Sequence, residues 1–373
     1  MIRNLLSLFA LFLALAASAQ YSADLLQKAT SGDAEAMGLL GMAYYTGDGT
    51  AQDYIKALEW FQKAADIGDD WAMYNIGVLY YNGLGVAQDY TKAMEWYQKA
   101  AEKGNAQGMY AIGVSYHKGL GVVQNYTKAM EWYQKAAEKG NAQGMNGIGV
   151  LYDKGLGVVQ NYTKAMEWYQ KAAEKGNDWA MYNIGYLYGH GQGGVHNYTK
   201  AIEWYQKAAE KGNAMAMRNI GYLYNKGQGV VQDYTKAMEW YKKAAEKGDD
   251  WAMYNIGLLY ANGGGVTQDY SKAVEWYQKA AKKKFNPGIN KLGEMYYHGN
   301  GIGQNHEKAF ELFKQAAEAI NDPSGDAMYM LSTCYRFGYG TTKDLGKADY
   351  WLKKAQETGS DEARAIQQLM GID

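Results

Sequence analysis

Residues 68–103 read GDDWAMYNIGVLYYNGLGVAQDYTKAMEWYQKAAEK, and this stretch decides the fold. Asp69 is placed to cap a helix, because its carboxylate can accept hydrogen bonds from the free amides of a first helical turn. Met73, Ile76 and Tyr80 follow at spacings of three and four residues, which is the period of an apolar helix face. The first half of the stretch therefore predicts an amphipathic helix.

The second half of the stretch predicts a turn and another helix. Gly83 and Gly85 end the first helix, since glycine tolerates the positive φ angles that a tight turn needs. Asp89 is the predicted N-cap of the second helix. The residues that we expect this second helix to bury are Ala93, Trp96, Tyr97 and Ala100.

The outer face of the second helix carries opposite charges. Glu95 and Lys99 are four residues apart, in the order that favours an ion pair on a helix surface. Seven copies of the stretch contain this combination, from Glu59 and Lys63 to Glu275 and Lys279. We therefore expect an ion pair between the two side chains in each of these copies.

The stretch is one copy of a repeat with a period of 36 residues. Leu312 continues the tryptophan series, and Trp351 follows 39 residues later, after a short insertion. A fixed period of 20–50 residues is typical of solenoid proteins. Nine units follow, beginning at residues 32, 68, 104, 140, 176, 212, 248, 284 and 323. The tryptophans that define the period are Trp60, Trp96, Trp132, Trp168, Trp204, Trp240 and Trp276.

The same period explains an unusual composition of 46 Gly and 35 Tyr against 2 Pro. Gly77 and its copies form one first-helix column, and we expect them to let two helix backbones approach closely. Tyr80 and its copies form another. A methionine column is predicted to fill the core; it comprises Met37, Met73, Met109, Met145, Met181, Met217, Met253 and Met328.

Charge and cysteine content exclude several classes of protein. The chain has 38 Lys and Arg against 39 Asp and Glu, so it lacks the basic excess of a nucleic-acid binder. A single cysteine excludes an internal disulfide framework and a Cys-based zinc site. The five histidines come with no further cluster of metal ligands. We expect no cofactor, no metal and no nucleic-acid partner.

The first nineteen residues have the pattern of a secretory signal peptide. Arg3 gives a positive start, Leu5 to Ala17 is apolar except for Ser7, and Ala17-Ser18-Ala19 forms a small-residue cleavage site. The apolar run is too short to span a bilayer. We expect an exported bacterial protein, periplasmic or secreted, with no membrane span after cleavage. The predicted domains are a signal peptide (1–19), an N-terminal cap (20–31), nine repeats (32–358) and a C-terminal capping helix (359–373).

The repeat columns resemble Sel1-like repeats, a subclass of the tetratricopeptide-like helical repeats. The motifs that carry the resemblance are Leu40-Gly41…Tyr44, Gly83-Leu84-Gly85-Val86 and Lys92 to Ala101, repeated across residues 32–358. The resemblance implies an all-α, right-handed α-α superhelical solenoid of about nine 36-residue helix-turn-helix repeats, with first helices lining a concave face. It also implies a non-catalytic scaffold or adaptor that binds proteins or peptides.

The positions that differ between copies point to a binding surface. Units 104–139 and 140–175 differ at four positions, all in the first helix or at its end. These positions share one helical stripe, which by resemblance faces the concave groove. Tryptophan, tyrosine and arginine dominate protein-binding hot spots. The predicted partner-binding residues are Trp71, Tyr74, Tyr81, Tyr110, His117, Trp179, Tyr182, Tyr186, Arg218, Tyr222, Trp251 and Tyr254.

Three alternatives to protein binding stay open at this stage. The same aromatic side chains would suit the sugar rings of a glycan, or they would pack against the preceding repeat. Some cysteine-rich Sel1 relatives suggest a cell-wall or β-lactam-related hydrolase, but this chain lacks their cysteines. Cys334 replaces an apolar core residue, so we expect a buried thiol and no catalytic residue.

Overall fold

A computed structural model describes residues 23–194, 196–320 and 323–360. Nineteen helices run through this part of the chain, beginning with α1 at residues 23–30. The first helices of the repeats are α2 (Ala34–Thr46), α4 (Asp70–Asn82), α6 (Ala106–Lys118), α8 (Ala142–Lys154), α10 (Asp178–His190), α12 (Ala214–Lys226), α14 (Asp250–Asn262), α16 (Asn286–His298) and α18 (Gly325–Phe337). The second helices are α3 (Tyr54–Asp66), α5 (Tyr90–Glu102), α7 (Tyr126–Glu138), α9 (Tyr162–Glu174), α11 (Tyr198–Glu210), α13 (Tyr234–Glu246), α15 (Tyr270–Lys282), α17 (His306–Ala317) and α19 (Leu345–Glu357).

These helices confirm the predicted all-α helical solenoid of nine repeats. The chain groups into two compact units that divide between Ala180 and Met181. Within unit 1, each helix from α2 to α9 packs against the next one along the chain. Within unit 2, the same holds from α11 to α19.

The predicted helix caps are confirmed in detail. Asp69 accepts a hydrogen bond from the amide of Ala72 at 2.7 Å, and so begins α4. Asp89 accepts from two amides of the first turn of α5. An Asp or Asn side chain caps the second helix of all nine repeats in the described part of the chain. Capping therefore fixes where each second helix begins.

The turn between the helices also has the predicted backbone. Gly83 has a φ of 67° and Gly85 a φ of 69°, both in the left-handed region that favours glycine. A Cβ on Gly85 would lie 2.8 Å from the backbone of Tyr54 in the preceding repeat. This glycine is thus needed both for its conformation and for the approach of two backbones.

The helical glycine column has a different role from the one expected. A Cβ on Gly77 would lie 2.5 Å from the ring of Tyr97, while the nearest backbone atom, the carbonyl oxygen of Ala93, is 3.2 Å away. Gly113 stands in the same relation to the ring of Tyr133. The glycine chiefly makes room for an aromatic ring of the second helix, and the close approach of backbones is secondary.

The predicted ion pair between Glu95 and Lys99 is wrong. The ammonium of Lys99 lies 3.9 Å from the ring centroid of Trp96, and all seven such lysines stand over their tryptophans at 3.7–4.3 Å. Trp96 is half-buried and not fully buried as expected. A ring with one exposed face offers the lysine a cation–π contact and a surface for its methylene groups.

The core is built as the columns predict. Ala93, Tyr97 and Ala100 are buried, and so are most members of the methionine column. Cys334 is fully buried, and burial raises the pKa of its thiol to about 12. The thiol is therefore protonated at neutral pH, as a structural cysteine should be.

The ends of the chain are only partly within the described residues. Leu25 and Ala29 of α1 are buried against Ala36, Leu40 and Trp60 of the first repeat, so α1 covers its apolar face. The predicted signal peptide (1–19) lies outside the described residues. So does the predicted C-terminal capping helix (359–373) beyond Ser360. Both segments stay predictions.

Candidate functional site

The repeat-specific side chains of the first helices fall into three groups in the structure. Within each unit, second helices pack on the first helices next to them along the chain, and the side chains that differ between copies lie mostly on the first helices. One group lies in unit 1 and two lie in unit 2.

In unit 1, tyrosines of repeats two and three surround a cavity of about 250 Å³. The Tyr74 ring lies 5.8 Å from the buried Tyr97 ring, and Tyr110 stacks on Tyr133 at the same distance. Burial raises the pKa of Tyr74 and of Tyr110, so both hydroxyl groups stay protonated. The residues that line this unit 1 cavity are Tyr74, Val78, Tyr81, Asn82, Tyr97, Tyr110, Ala111 and Val114.

Three other predicted residues of unit 1 lie outside the lining of this cavity. Trp71 is half-buried against Gly38 and the edge of Phe61, both in the preceding repeat. His117 packs edge-on against a second-helix tyrosine at 5.4 Å, and burial together with the nearby Lys118 lowers its pKa. Trp179 is 49% exposed. Trp71 thus packs as the inter-repeat alternative expects, whereas Trp179 presents an accessible ring.

In unit 2, first helices α10 and α12 form one side of a cavity of about 420 Å³, the larger of the two. Its volume falls within the roughly 300–1,000 Å³ of small-molecule sites. Four predicted residues meet here: Tyr182, Tyr186, Arg218 and Tyr222. The full lining of this unit 2 cavity is Tyr182, Tyr186, Gly189, His190, Tyr198, Tyr205, Arg218, Asn219, Tyr222, Leu223 and Gln228.

Aromatic rings build the walls of the unit 2 cavity. Tyr182 is buried and lies 5.6 Å from the ring of Tyr205, while His190 stacks on Tyr186 at 3.8 Å. Burial raises the pKa of Tyr182, and the side-chain amide of Asn219 partly offsets this rise. Tyr222 is 46% exposed, so part of the wall is open to solvent.

Arg218 brings a positive charge to this aromatic surface. One nitrogen of its guanidinium lies 3.5 Å from a carboxylate oxygen of Asp249. Asp249 also caps α14, where it accepts a hydrogen bond from the amide of Ala252 at 2.7 Å. Burial raises the pKa of Asp249 and the Arg218 charge opposes that rise. The cap and the ion pair together fix Asp249, which in turn positions Arg218.

The third group, also in unit 2, joins two predicted residues to one that the sequence analysis missed. The ring of Phe285 lies 4.8 Å from Trp251 and 6.0 Å from Tyr254. Trp251 remains 44% exposed. The three rings form a surface patch, with the tryptophan as its accessible part.

Several lining residues of the unit 2 cavity were not predicted. Tyr198 and Tyr205 belong to second-helix columns that repeat in the other copies. The sequence therefore indicated a packing role for them and gave no sign that they also line a cavity. Gly189 carried a signal that was overlooked. Its column holds Tyr45, Tyr81 and Tyr297 in other repeats, and Gly189 is the one glycine in it.

Helix pairs of constant length, constant caps and a constant core define an all-α helical-repeat protein. The model of the Sel1 repeat matches nine segments, residues 34–69, 72–105, 106–141, 142–177, 180–213, 214–249, 252–285, 287–321 and 325–357. The chain belongs to the Sel1 repeat family, whose members are generally protein-interaction scaffolds.

Solved structures include similar Sel1 repeat proteins. One from Oxalobacter formigenes is 34% identical over 65% of this chain and 98% of its own, with a TM-score of 0.60. A protective antigen from uropathogenic Escherichia coli strains is 31% identical over 94% of this chain and 90% of its own, with a TM-score of 0.44. An immunity protein from Pseudomonas aeruginosa is 25% identical over 57% of this chain and 81% of its own, with a TM-score of 0.43. No curated protein matches the chain.

Within the described residues, no helix combines the length and apolar character needed to cross a membrane. Nor do three or more His, Cys, Asp or Glu side chains gather there in a way that would hold a metal ion.

Proposed function

We propose that this chain is a non-catalytic scaffold that binds a peptide or protein partner along its first helices. The observation that carries the proposal is the clustering of repeat-specific aromatic side chains around the two cavities and in the exposed patch at Trp251. Side chains that pack the core of every repeat recur in all copies, as the second-helix columns do, whereas these side chains change from copy to copy. Large, stiff aromatic side chains and an arginine are the groups that anchor protein partners.

We also propose that the protein acts outside the bacterial cytoplasm, in the periplasm or beyond it. The support is the sequence of residues 1–19, which lie outside the described part of the structure. Fusion of residues 1–25 to a phosphatase that is active only outside the cytoplasm tests this proposal. We expect active fusions, and loss of activity when Leu11 and Leu13 are replaced by Arg. An inactive wild-type fusion would contradict export.

Partner capture from the source bacterium tests the scaffold proposal. The test variant is Trp179→Ala combined with Trp251→Ala, because both rings are accessible and their loss leaves the core intact. Trp71 is left unchanged, since it packs against the preceding repeat. The matched control is Ile55→Ala combined with Tyr350→Ala, which removes two exposed side chains from second helices.

Quantitative mass spectrometry of the captured proteins separates the outcomes. We expect one or a few proteins to be enriched by the wild type and the control, and depleted at least about tenfold with the test variant, as for hot-spot residues. Equal capture by the wild type, the test variant and the control would show that the partner does not bind through Trp179 and Trp251. Signal on a glycan array with no protein capture would favour the glycan alternative, and nitrocefin turnover would favour the hydrolase.

A further inference from the structure

The unit 2 cavity exists because repeats five and six depart from the repeat pattern. Tyr186 and Tyr222 occupy a column that holds Met, Val, Leu, Glu or Thr in the other repeats. Arg218 stands where the neighbouring repeats carry Tyr182 and Tyr254. The structure brings these departures to one place, so they form a local feature and not scattered drift between copies.

Gly189 opens the space. In repeats one and two the tyrosine of this column packs edge-on against the first tyrosine of the second helix, as Tyr81 does on Tyr90 at 5.2 Å. Tyr198 is the corresponding second-helix ring in repeat five, and here it lines the cavity. A Cβ on Gly189 would meet its nearest neighbour, the Cβ of Ala201, only at 3.6 Å. A Cβ would therefore fit at Gly189 in ordinary van der Waals contact, and the cavity borders this glycine where repeats one and two carry a tyrosine ring.

The positive charge at the unit 2 cavity indicates a ligand with a negative charge. Arg218 is the one permanently charged residue among the described residues that line it. Its contact with Asp249 is long at 3.5 Å, compared with about 2.8 Å for a strong charge-assisted hydrogen bond. Lys226 adds a second positive charge 6.0 Å from the ring of Tyr222. A guanidinium has more N–H donors than one carboxylate contact uses, so Arg218 keeps donors for another carboxylate.

We propose that the unit 2 cavity is a recognition pocket for an acidic peptide, in which a carboxylate pairs with Arg218 and a neighbouring aromatic side chain occupies the part of the cavity beside Gly189. The proposal rests on the proposed function and deepens it, because it names the chemistry of the partner. Tyr182, Tyr205 and Tyr222 provide the surface for the apolar part of the ligand. A planar guanidinium suits the two oxygens of a carboxylate.

The carboxylate could belong to an acidic side chain or to the C-terminus of the peptide, and two probes distinguish these sources. The first probe is fluorescein-labelled Gly-Gly-Phe-Glu-Gly-Gly with an amidated C-terminus, which offers only the glutamate side chain. The second is fluorescein-labelled Gly-Gly-Gly-Phe with a free C-terminus, which offers only the terminal carboxylate. Matched probes carry glutamine or a C-terminal amide instead. Fluorescence polarisation measures each dissociation constant with the full mature chain.

Three variants test the pocket by independent means. Gly189→Tyr fills this part of the cavity with the residue that repeats one, two and eight carry there, and it leaves Arg218 in place. Arg218→Gln removes the charge and keeps a polar side chain. Lys243→Gln is the control, because it removes one positive charge from the outer face of α13. Circular dichroism and thermal melts confirm that all three variants fold.

We expect one carboxylate probe to bind the wild type at least about tenfold more tightly than its neutral match, as one charge-assisted contact allows. Gly189→Tyr and Arg218→Gln should each weaken that probe about tenfold or more, and Lys243→Gln should not. Equal binding of acidic and neutral probes, or binding unaffected by Gly189→Tyr, overturns the proposal. That result would leave the scaffold proposal standing, whereas failed partner capture by the wild type would remove the scaffold proposal itself.

Discussion

The packing of aromatic rings on glycines predicts opposite effects for one substitution at two sites. Gly77→Ala introduces a Cβ 2.5 Å from the ring of Tyr97, which is itself buried. Gly189→Ala introduces the same atom where its closest neighbour is 3.6 Å away. Gly77 lies in the middle of α4 and Gly189 is the last residue but one of α10, so the helical gain from alanine is larger at Gly77 and the tertiary contact opposes it there.

The magnitudes follow from the two contacts. Replacing a glycine in a helix interior by alanine stabilises by roughly 0.5–1 kcal/mol, and we expect a gain of at most this size for Gly189→Ala near the end of α10. Overpacking a core costs about 1–3 kcal/mol, and the buried ring of Tyr97 must shift against its neighbours or into the unit 1 cavity that it lines. We therefore expect Gly77→Ala to lower the free energy of unfolding by about 1–2 kcal/mol after the helical gain is subtracted.

Urea denaturation followed by circular dichroism gives the global change, and hydrogen exchange with mass spectrometry localises it. Exchange matters because repeat proteins need not unfold in one step. We expect faster exchange in α4 and α5 for Gly77→Ala, and unchanged or slower exchange in α10 for Gly189→Ala. Adding Tyr97→Leu should remove most of the penalty at Gly77, as coupling between touching residues requires. If Gly77→Ala stabilises as much as Gly189→Ala, the ring does not lie against Gly77 and the packing argument fails.

Four further predictions concern charge and the buried thiol. Lys99→Gln should lower stability by about 0.5–1 kcal/mol in urea melts through the loss of its ring contact, whereas Glu95→Gln should change little. Contacts with Lys272 hold the pKa of Asp269 below its usual value, so this carboxylate contributes stability above about pH 4 that is lost as pH falls; Asp269→Asn should flatten the acid dependence of the urea midpoint. The pH dependence that Asp249 contributes runs the other way. Because the pKa of Asp249 is raised in the folded protein, this group adds to the free energy of unfolding as pH falls. Asp249→Asn should remove that gain from the urea midpoints. Cys334 should react with a thiol reagent only after unfolding, because burial raises its pKa to about 12; rapid labelling of the native protein would contradict this.

Most of the fold was predictable from local signals. Asp69 and Asp89 mark helix starts, Gly83 marks a turn, and the other copies repeat these signals in register, except that Phe285 replaces the first-helix cap in repeat eight. Caps and turns depend on a few neighbouring residues, so the sequence contains what determines them. Repetition also removes ambiguity, because chance alternatives at one copy fail at the others.

The contacts of individual side chains were less predictable, because several possible partner residues lie at similar distances on a helix surface. Lys99 lies four residues after Glu95 and three after Trp96, so both are within its reach. The choice depends on how far the tryptophan is buried and on which ring face it exposes, and packing between helices sets both. The same applies to Gly77, whose neighbour Tyr97 is 20 residues away along the chain.

The sequence predicted side chains of the candidate site, but it did not predict the cavity between them. Tyr182, Tyr186, Arg218 and Tyr222 were identified as residues that differ between copies, and the structure brings all four to one cavity. The space was not predicted, because Gly189 has no side chain. Its column carries Tyr in repeats one, two and eight, but Asp, Gly, Asn and Ala in repeats four to seven, so small residues there are common. A small residue leaves open space only where the neighbouring helices do not close in on it, and the packing between helices decides that.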